Sequence, residues 1–172
     1  MISIDFAEKD IEDYLCKDSH LDIWFSDLYV VKRQYNIEGM FIDILAYQKR
    51  FKRFVIVELK KNIIDSQAFT QALTYKTLME AKFPNRRFTI LLIAQNLDER
   101  LSYIMKEYTP DNFRRGEEFL YQLFSYDFED GISFSWFSKI QRANENKLLK
   151  MRSNYWESKY KKGDINGSFQ EN

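Results

Sequence analysis

Residues 88–94 read Phe-Thr-Ile-Leu-Leu-Ile-Ala, a run without a charge and with one polar side chain. Such a run is typical of a strand that is buried on both faces, because a strand with one solvent-exposed face alternates apolar and polar residues. Covering both faces of a strand requires further elements on each side of its sheet. We therefore expect this strand in the interior of an α/β fold.

Helical periodicity indicates three helices in the first two thirds of the chain, over residues 6–17, 66–83 and 98–108. Asp5 and Glu8 have the spacing of a capping box before the first helix. Asp65 or Ser66 can cap the second helix through a side-chain oxygen. Between these two helices we expect three strands, over residues 28–35, 40–47 and 54–59. Their connections are too short for parallel crossovers, so the strands should form an antiparallel meander.

The sequence pattern after residue 108 predicts further elements that follow this core. Strands over residues 120–128 and 132–137, joined at Asp130-Gly131, have the pattern of a β-hairpin. A charged helix is expected from residue 138 to about residue 161. Residues 163–172 are expected to fray.

Composition is that of an ordinary globular protein, with five glycines and two prolines in 172 residues and hence no linker-like segment. We expect one domain over residues 1–172, with a core at about 5–108 and an extension at about 109–162.

Cys16 is the single cysteine, which excludes an intramolecular disulfide and a cysteine-rich zinc site. No apolar stretch approaches the ~20 residues of a membrane span, so we expect a soluble, cytoplasmic protein. His20 has no visible partner and is expected at the surface.

The formal net charge is zero, which ordinarily argues against nucleic acid as a partner. The charges are unevenly distributed, however. Residues 1–29 hold eight acidic and two basic side chains, whereas residues 43–61 hold six basic and two acidic ones. Residues 139–172 hold eight basic and four acidic ones. Zero net charge therefore does not exclude local contacts with phosphate groups.

Three charged residues stand near the ends of two neighbouring strands of the meander. Glu58 and Lys60 alternate to the same face of their strand, roughly 7 Å apart by strand rise. Asp43 interrupts an apolar segment, where a charge has little reason to lie unless it faces a site or a partner. A hairpin turning around Arg50 and Phe51 would place Asp43 opposite Glu58.

Two facing carboxylates repel each other, and a divalent cation removes this repulsion. Mg²⁺ takes oxygen ligands and is commonly held by one or two carboxylates plus substrate phosphates. The pattern therefore predicts metal-assisted hydrolysis of a phosphodiester, with Asp43 and Glu58 as ligands and Lys60 steadying the attacking water or the developing charge. Two further pairs, each four residues apart on a predicted helix, can line the same site: Gln71 with Tyr75, and Glu8 with Glu12.

Asp43, the segment Glu58-Leu59-Lys60 and the pair Gln71 and Tyr75 together resemble the motif of the PD-(D/E)XK nuclease superfamily. The Gln-x-x-x-Tyr spacing resembles its RecB-like branch, and the likeness extends to the C-terminal catalytic domain of NucS-type endonucleases over about residues 5–105. The resemblance implies a restriction-endonuclease-like core and a DNA nuclease that depends on Mg²⁺ or Mn²⁺. RNA stays an alternative substrate.

The resemblance carries expectations for further residues. It implies that Gln71 and Tyr75 orient the phosphate or the water, and that Glu8, with Glu12 as the fallback, helps to position the metal. One departure is Phe41, which stands where that family usually has an arginine. By analogy with nucleases that pair to cut two strands, a homodimer is a further expectation.

Other interpretations stay open at this point. Five basic residues are candidate contacts to a nucleic-acid backbone: Lys49, Arg50, Lys52, Arg53 and Lys61. An ordinary charged hairpin tip is the alternative for the first four. For Glu58 and Lys60 the alternative is an exposed ion pair at a strand edge. The whole chain could also be a catalytically inactive nuclease-fold module that binds DNA or a partner protein.

Overall fold

The structure is a computed structural model that describes residues 2–4, 7–25, 27–101, 119–127, 131–136 and 169–171. Within these residues the helices are α1 (Glu8–Leu15), α2 (His20–Phe25) and α3 (Ser66–Lys82). The first strands are β1 (Ile2–Ile4), β2 (Leu28–Ile37), β3 (Met40–Gln48), β4 (Arg53–Leu59) and β5 (Ile63–Ile64). The later strands are β6 (Phe88–Ala94), β7 (Asn96–Leu97), β8 (Phe119–Asp127), β9 (Gly131–Trp136) and β10 (Phe169–Glu171).

Six strands form one mixed sheet in the order β2-β3-β4-β6-β8-β9. The pairs β2–β3, β3–β4 and β8–β9 are antiparallel, as short connections require. The pairs β4–β6 and β6–β8 are parallel, and α3 lies in the connection from β4 to β6. The predicted α/β class and the antiparallel meander are thus confirmed.

Strand β6 confirms the interpretation of the apolar run, since all seven of its residues are buried. Its side chains alternate between two core clusters. Leu91 and Ile93 pack in the cluster that contains α1 and α2, whereas Ile90 and Leu92 pack in the cluster that contains α3. The sheet is therefore covered by helices on both faces.

The hairpin expected after residue 108 is confirmed as β8 and β9, with Asp127 opposite Gly131. It is not a separate attachment, because β8 pairs in parallel with β6 and extends the main sheet. Phe134 of β9 is buried against Trp24 and Phe25 of α2. The helix expected over residues 138–161 lies outside the described residues.

Both ends of the chain contribute to a second, small sheet. Residues 169–171, within the tail that was expected to fray, form β10 and pair with β1 in an antiparallel register. A third pair, β5 with β7, is parallel. No helix in the described part of the chain is long and apolar enough to cross a membrane.

The helix ends follow the sequence signals in most cases. Asp65 caps α3 by accepting a hydrogen bond from the N–H of Ala68 at 2.9 Å, as predicted. Asp98 accepts a hydrogen bond from the N–H of Leu101 at 3.0 Å, and the helix expected there starts at residue 99, with residues 102–108 outside the description. Helix α1 begins later than expected. Asp10 accepts from the N–H of Ala7 at 2.9 Å, which is not the predicted capping box.

The short helix α2 was not predicted, and it changes the environment of His20. The expectation that His20 lies at the surface is wrong, since 4% of its surface is exposed. Its Nδ1 lies 2.6 Å from the carbonyl oxygen of Tyr14, and its ring stacks on the Tyr14 ring. Burial lowers the pKa of His20. The imidazole is a core residue because α2 folds back onto α1.

Candidate active site

The register of β3 and β4 decides where the predicted site residues lie. Ile44 pairs with Val57, and Tyr47 pairs with Phe54, which is the predicted register. Asp43 and Glu58 occupy the next positions beyond the Ile44–Val57 pair. The two carboxylates therefore lie at the same end of neighbouring strands, as the hairpin prediction required.

Asp43 takes part in the sheet through its side chain. Its Oδ2 accepts a hydrogen bond from the N–H of Leu59 at 2.8 Å. Burial raises the pKa of Asp43, while the hydrogen bond from Leu59 and the charge of Lys60 act in the opposite direction. This carboxylate is held at one oxygen by the backbone of the neighbouring strand.

Glu58 is the most deeply buried acidic group of the site, with 2% of its surface exposed. Its Oε1 accepts a hydrogen bond from Nζ of Lys60 at 2.9 Å. Its Oε2 is buried and has no hydrogen-bond partner among the described residues. The alternative of an exposed ion pair at a strand edge is therefore wrong for Glu58 and Lys60.

The electrostatics of the site follow from this burial. Burial raises the pKa of Glu58 to about 7, and the negative charge of Asp43 acts in the same direction, while Lys60 opposes the shift. Burial alone would lower the pKa of Lys60, but Glu58, Glu8 and Asp43 raise it overall. Lys60 is thus a firmly protonated cation among three carboxylates.

Glu8 and Glu12 both reach this end of the sheet, and they contact different neighbours. Glu8 Oε1 accepts a hydrogen bond from the N–H of Lys61 at 3.1 Å. Glu12 is buried, and its Oε1 accepts from Nε of Arg33 at 2.7 Å. Glu8 therefore contacts the segment that carries Lys60, whereas Glu12 contacts β2.

One neighbour of Asp43 was missed by sequence reasoning. Gln34 of β2 donates from Nε2 to Oε2 of Glu12 at 2.9 Å and lies 3.4 Å from Oδ1 of Asp43. Counted back from the turn at Glu38 and Gly39, Ile37 pairs with Met40 and Tyr35 pairs with Ile42, and the same register places Gln34 opposite Asp43. This turn is the sequence signal that could have found Gln34.

Gln71 and Tyr75 lie on the face of α3 that covers the start of β3. Gln71 Nε2 donates to the hydroxyl of Tyr75 at 2.6 Å, and this hydroxyl donates to the carbonyl oxygen of Phe41 at 2.8 Å. Tyr75 is 1% exposed, and burial raises its pKa, with Glu58 and Asp43 adding to the shift. Tyr75 therefore lies within electrostatic reach of both carboxylates.

An open cleft of about 810 Å³ lies beside this pair. It is lined by Met40, Phe41, Ser66, Gln67, Thr70, Gln71, Thr74 and Tyr75. None of these side chains is charged. The cleft is therefore suited to uncharged parts of a ligand rather than to phosphate groups.

The basic β3–β4 turn is far from the carboxylates. Lys49, Arg50 and Lys52 are exposed there. By strand rise, the five residue steps from Arg53 to Glu58 span about 17 Å. The basic turn and the carboxylates therefore lie at opposite ends of β4.

The remaining two basic candidates have other surroundings. Arg53 is 5% exposed, and its Nε donates to Oε1 of Gln48 at 2.9 Å. Its guanidinium also lies 4.9 Å from the centre of the Phe51 ring, so Arg53 is a structural residue of the turn. Lys61 is half-buried and follows Lys60 directly, which places it at the carboxylate end.

The residues present fit a hard divalent cation. No three or more His, Cys, Asp or Glu side chains in the described ranges are arranged to hold a metal ion by themselves. Two carboxylates suffice for Mg²⁺ when water and substrate phosphate supply the other ligands. Glu58 Oε2 accepts no hydrogen bond from the described part of the chain, and Asp43 Oδ1 has a lone pair beyond its long contact with Gln34.

Comparison with known proteins identifies similar folds. No protein-family model and no curated protein matches the chain. A repair endonuclease from Pyrococcus abyssi aligns over 60% of this chain and 44% of its own, with 16% identity and a TM-score of 0.51. The EndoMS–dsDNA2 complex aligns over 68% of this chain and 44% of its own, with 14% identity and a TM-score of 0.53.

The chain thus spans less than half the length of these two structures. At identities this low, the likeness concerns the fold. It confirms the restriction-endonuclease-like core that the motif residues predicted.

Proposed function

We propose that this protein is a metal-dependent nuclease that hydrolyses phosphodiester bonds, with DNA as its substrate. The observation that carries the proposal is the meeting of Asp43, Glu58 and Lys60 at one end of β3 and β4. Glu58 Oε2 is buried beside a second carboxylate and has no hydrogen-bond partner among the residues that the structure describes, which is costly unless a ligand compensates for it. The fold shared with repair endonucleases supports the same proposal.

Asp43 and Glu58 would hold Mg²⁺ or Mn²⁺ through their oxygens. When bound, the metal would polarise the phosphate and lower the pKa of its water. Lys60 supplies positive charge from the protein itself. One of its three N–H groups is directed to Glu58, and the others can hold the attacking water or an oxygen of the scissile phosphate.

The helical residues have supporting functions in this proposal. Tyr75 positions the start of β3, since its hydroxyl donates to the carbonyl oxygen of Phe41, two residues before Asp43. Gln71 lines the cleft, and its carboxamide oxygen can contact a substrate that occupies this cleft. Glu8 helps to fix the Lys60-Lys61 segment through the N–H of Lys61.

The nucleic acid would meet the protein at two places. Lys61 lies at the carboxylate end, where a phosphate enters the site. Lys49, Arg50 and Lys52 form a second contact about 17 Å away by strand rise, roughly the length of five base-pair steps. We expect this second contact to add affinity that does not depend on the DNA sequence, because contacts of lysine and arginine with phosphate groups do not distinguish one base from another.

Cleavage assays with purified protein test the proposal. Single-stranded, duplex and branched DNA are incubated with Mg²⁺ or Mn²⁺ and with wild type, Glu58→Ala, Lys60→Ala and Glu80→Ala. Glu80 is an exposed carboxylate of α3 and provides the matched control. We expect cutting by the wild type and Glu80→Ala but not by the other two variants. Cutting that survives both site substitutions would identify a contaminant, and normal binding without cutting would favour the inactive DNA-binding module.

A further inference from the structure

Gln34 has an unusual backbone for a residue inside a strand. Its φ is +45°, a left-handed value that glycine adopts freely but that crowds the Cβ atom of other residues. Non-glycine residues in this region persist when their surroundings hold them there, and they cluster at functional sites. The conformation therefore directs attention to what the side chain contacts.

The strand register places Gln34 beside Asp43. Arg33 pairs with Ile44, and Tyr35 pairs with Ile42, so Gln34 and Asp43 are neighbours on adjacent strands. The carboxamide nitrogen of Gln34 has two N–H groups. It donates to Oε2 of Glu12 at 2.9 Å and lies 3.4 Å from Oδ1 of Asp43. One amide thus bridges carboxylates from α1 and β3.

Both ends of this bridge are fixed. Glu12 is held by Nε of Arg33 at 2.7 Å, and the second oxygen of Asp43 is held by the N–H of Leu59 at 2.8 Å. Each carboxylate oxygen of Asp43 thus faces a donor on a different strand: Oδ1 faces the amide of Gln34 on β2, and Oδ2 faces the N–H of Leu59 on β4. Rotation of this carboxylate would break one contact or the other.

We propose that Gln34 is a positioning residue that holds the Asp43 carboxylate in the orientation required beside Glu58. The inference rests on the proposed metal site. Partners that contact a ligating carboxylate from behind orient it and tune its affinity for metal. A purely structural function, the docking of α1 onto the sheet, would change stability without changing metal affinity.

Calorimetric titration with Mn²⁺ alone tests this inference on the full chain. Gln34→Gly removes the amide while glycine tolerates the left-handed backbone. Glu38→Gly is the matched control, because Glu38 is exposed in the β2–β3 turn and has a φ of +50°. We expect roughly tenfold weaker Mn²⁺ binding for Gln34→Gly and unchanged binding for Glu38→Gly. Wild-type affinity in Gln34→Gly would overturn the inference.

Failure of the proposed function gives a different result. If the wild type binds no Mn²⁺, the metal site is contradicted. Metal-free crystal structures of wild type and Gln34→Gly then show whether Gln34 orients the Asp43 carboxylate. A carboxylate of Asp43 that turns away from Glu58 in the variant supports the positioning function. A carboxylate that keeps its orientation overturns it.

Discussion

The N–H of Leu59 donates to Oδ2 of Asp43 at 2.8 Å, just beyond the last paired residues of β3 and β4. A side-chain oxygen thus accepts the hydrogen bond that a backbone carbonyl would accept further along an antiparallel ladder. The contact fixes a charged group next to Glu58 and gives Asp43 a structural function besides its proposed chemical one. These two functions can be separated by substitution.

Asp43→Asn should keep the fold and lose the metal. The asparagine oxygen can still accept from Leu59, whereas the negative charge that attracts a cation is gone. Asp43→Ala should in addition lower the free energy of unfolding by about 1–3 kcal/mol, because the N–H of Leu59 loses its partner. Urea unfolding and Mn²⁺ calorimetry measure the two effects. Wild-type Mn²⁺ affinity in Asp43→Asn would rule out Asp43 as a ligand.

Glu58 should make the stability of the metal-free protein depend on pH. Its pKa is raised from 4.5 to about 7, mainly by burial, so between these values the native state binds a proton that the unfolded chain has lost. This group therefore lowers the free energy of unfolding as pH rises through that window. Glu58→Gln removes the ionisation, so the free energy of unfolding of this variant, relative to that of the wild type, should rise by about 3 kcal/mol over the window.

Urea unfolding of wild type and Glu58→Gln at several pH values measures this difference. Mg²⁺ provides an independent control, because a bound cation favours the ionised carboxylate and should oppose the loss of wild-type stability. A stability difference that does not change with pH would mean that Glu58 titrates as an ordinary exposed carboxyl.

Tyr75→Phe should lower the free energy of unfolding by about 1–2 kcal/mol, since the carbonyl oxygen of Phe41 and the amide of Gln71 both lose a partner. Tyr35→Phe is the control, because Tyr35 is half-buried and its hydroxyl has no hydrogen bond among the described residues. We expect a change within about 0.5 kcal/mol for the control. Equal losses in the two variants would show that the Tyr75 hydroxyl does not hold β3.

Alanine at Lys49, Arg50 and Lys52 should weaken DNA binding without preference for sequence. Each cation that contacts a phosphate releases counterions on binding, so each substitution should reduce the salt slope of affinity by about 1. Lys76→Ala is the control, since the Lys76 cation is already paired with Glu80 on α3. Binding isotherms at several salt concentrations provide the measurement. An unchanged slope in the triple variant would place the DNA elsewhere.

Much of the fold and the centre of the site could be predicted from the sequence. The apolar run of β6 indicates a strand covered on both faces, and short connections require the antiparallel meander. Alternation along β4 places Glu58 and Lys60 on one face, and the hairpin then brings Asp43 next to Glu58. Each step depends on residues that are close in sequence, where periodicity and connection length dictate geometry.

The tertiary structure decided what depends on contacts between distant segments. Gln34 bridges Asp43 to Glu12 only because α1 packs against the sheet, and His20 is buried because α2 folds back onto α1. The length of β4 separates the basic turn from the carboxylates, and packing against Gln48 and Phe51 makes Arg53 structural. Local patterns specify which residue types can form a site. Strand register and burial determine which of them meet, because those depend on how the whole chain packs.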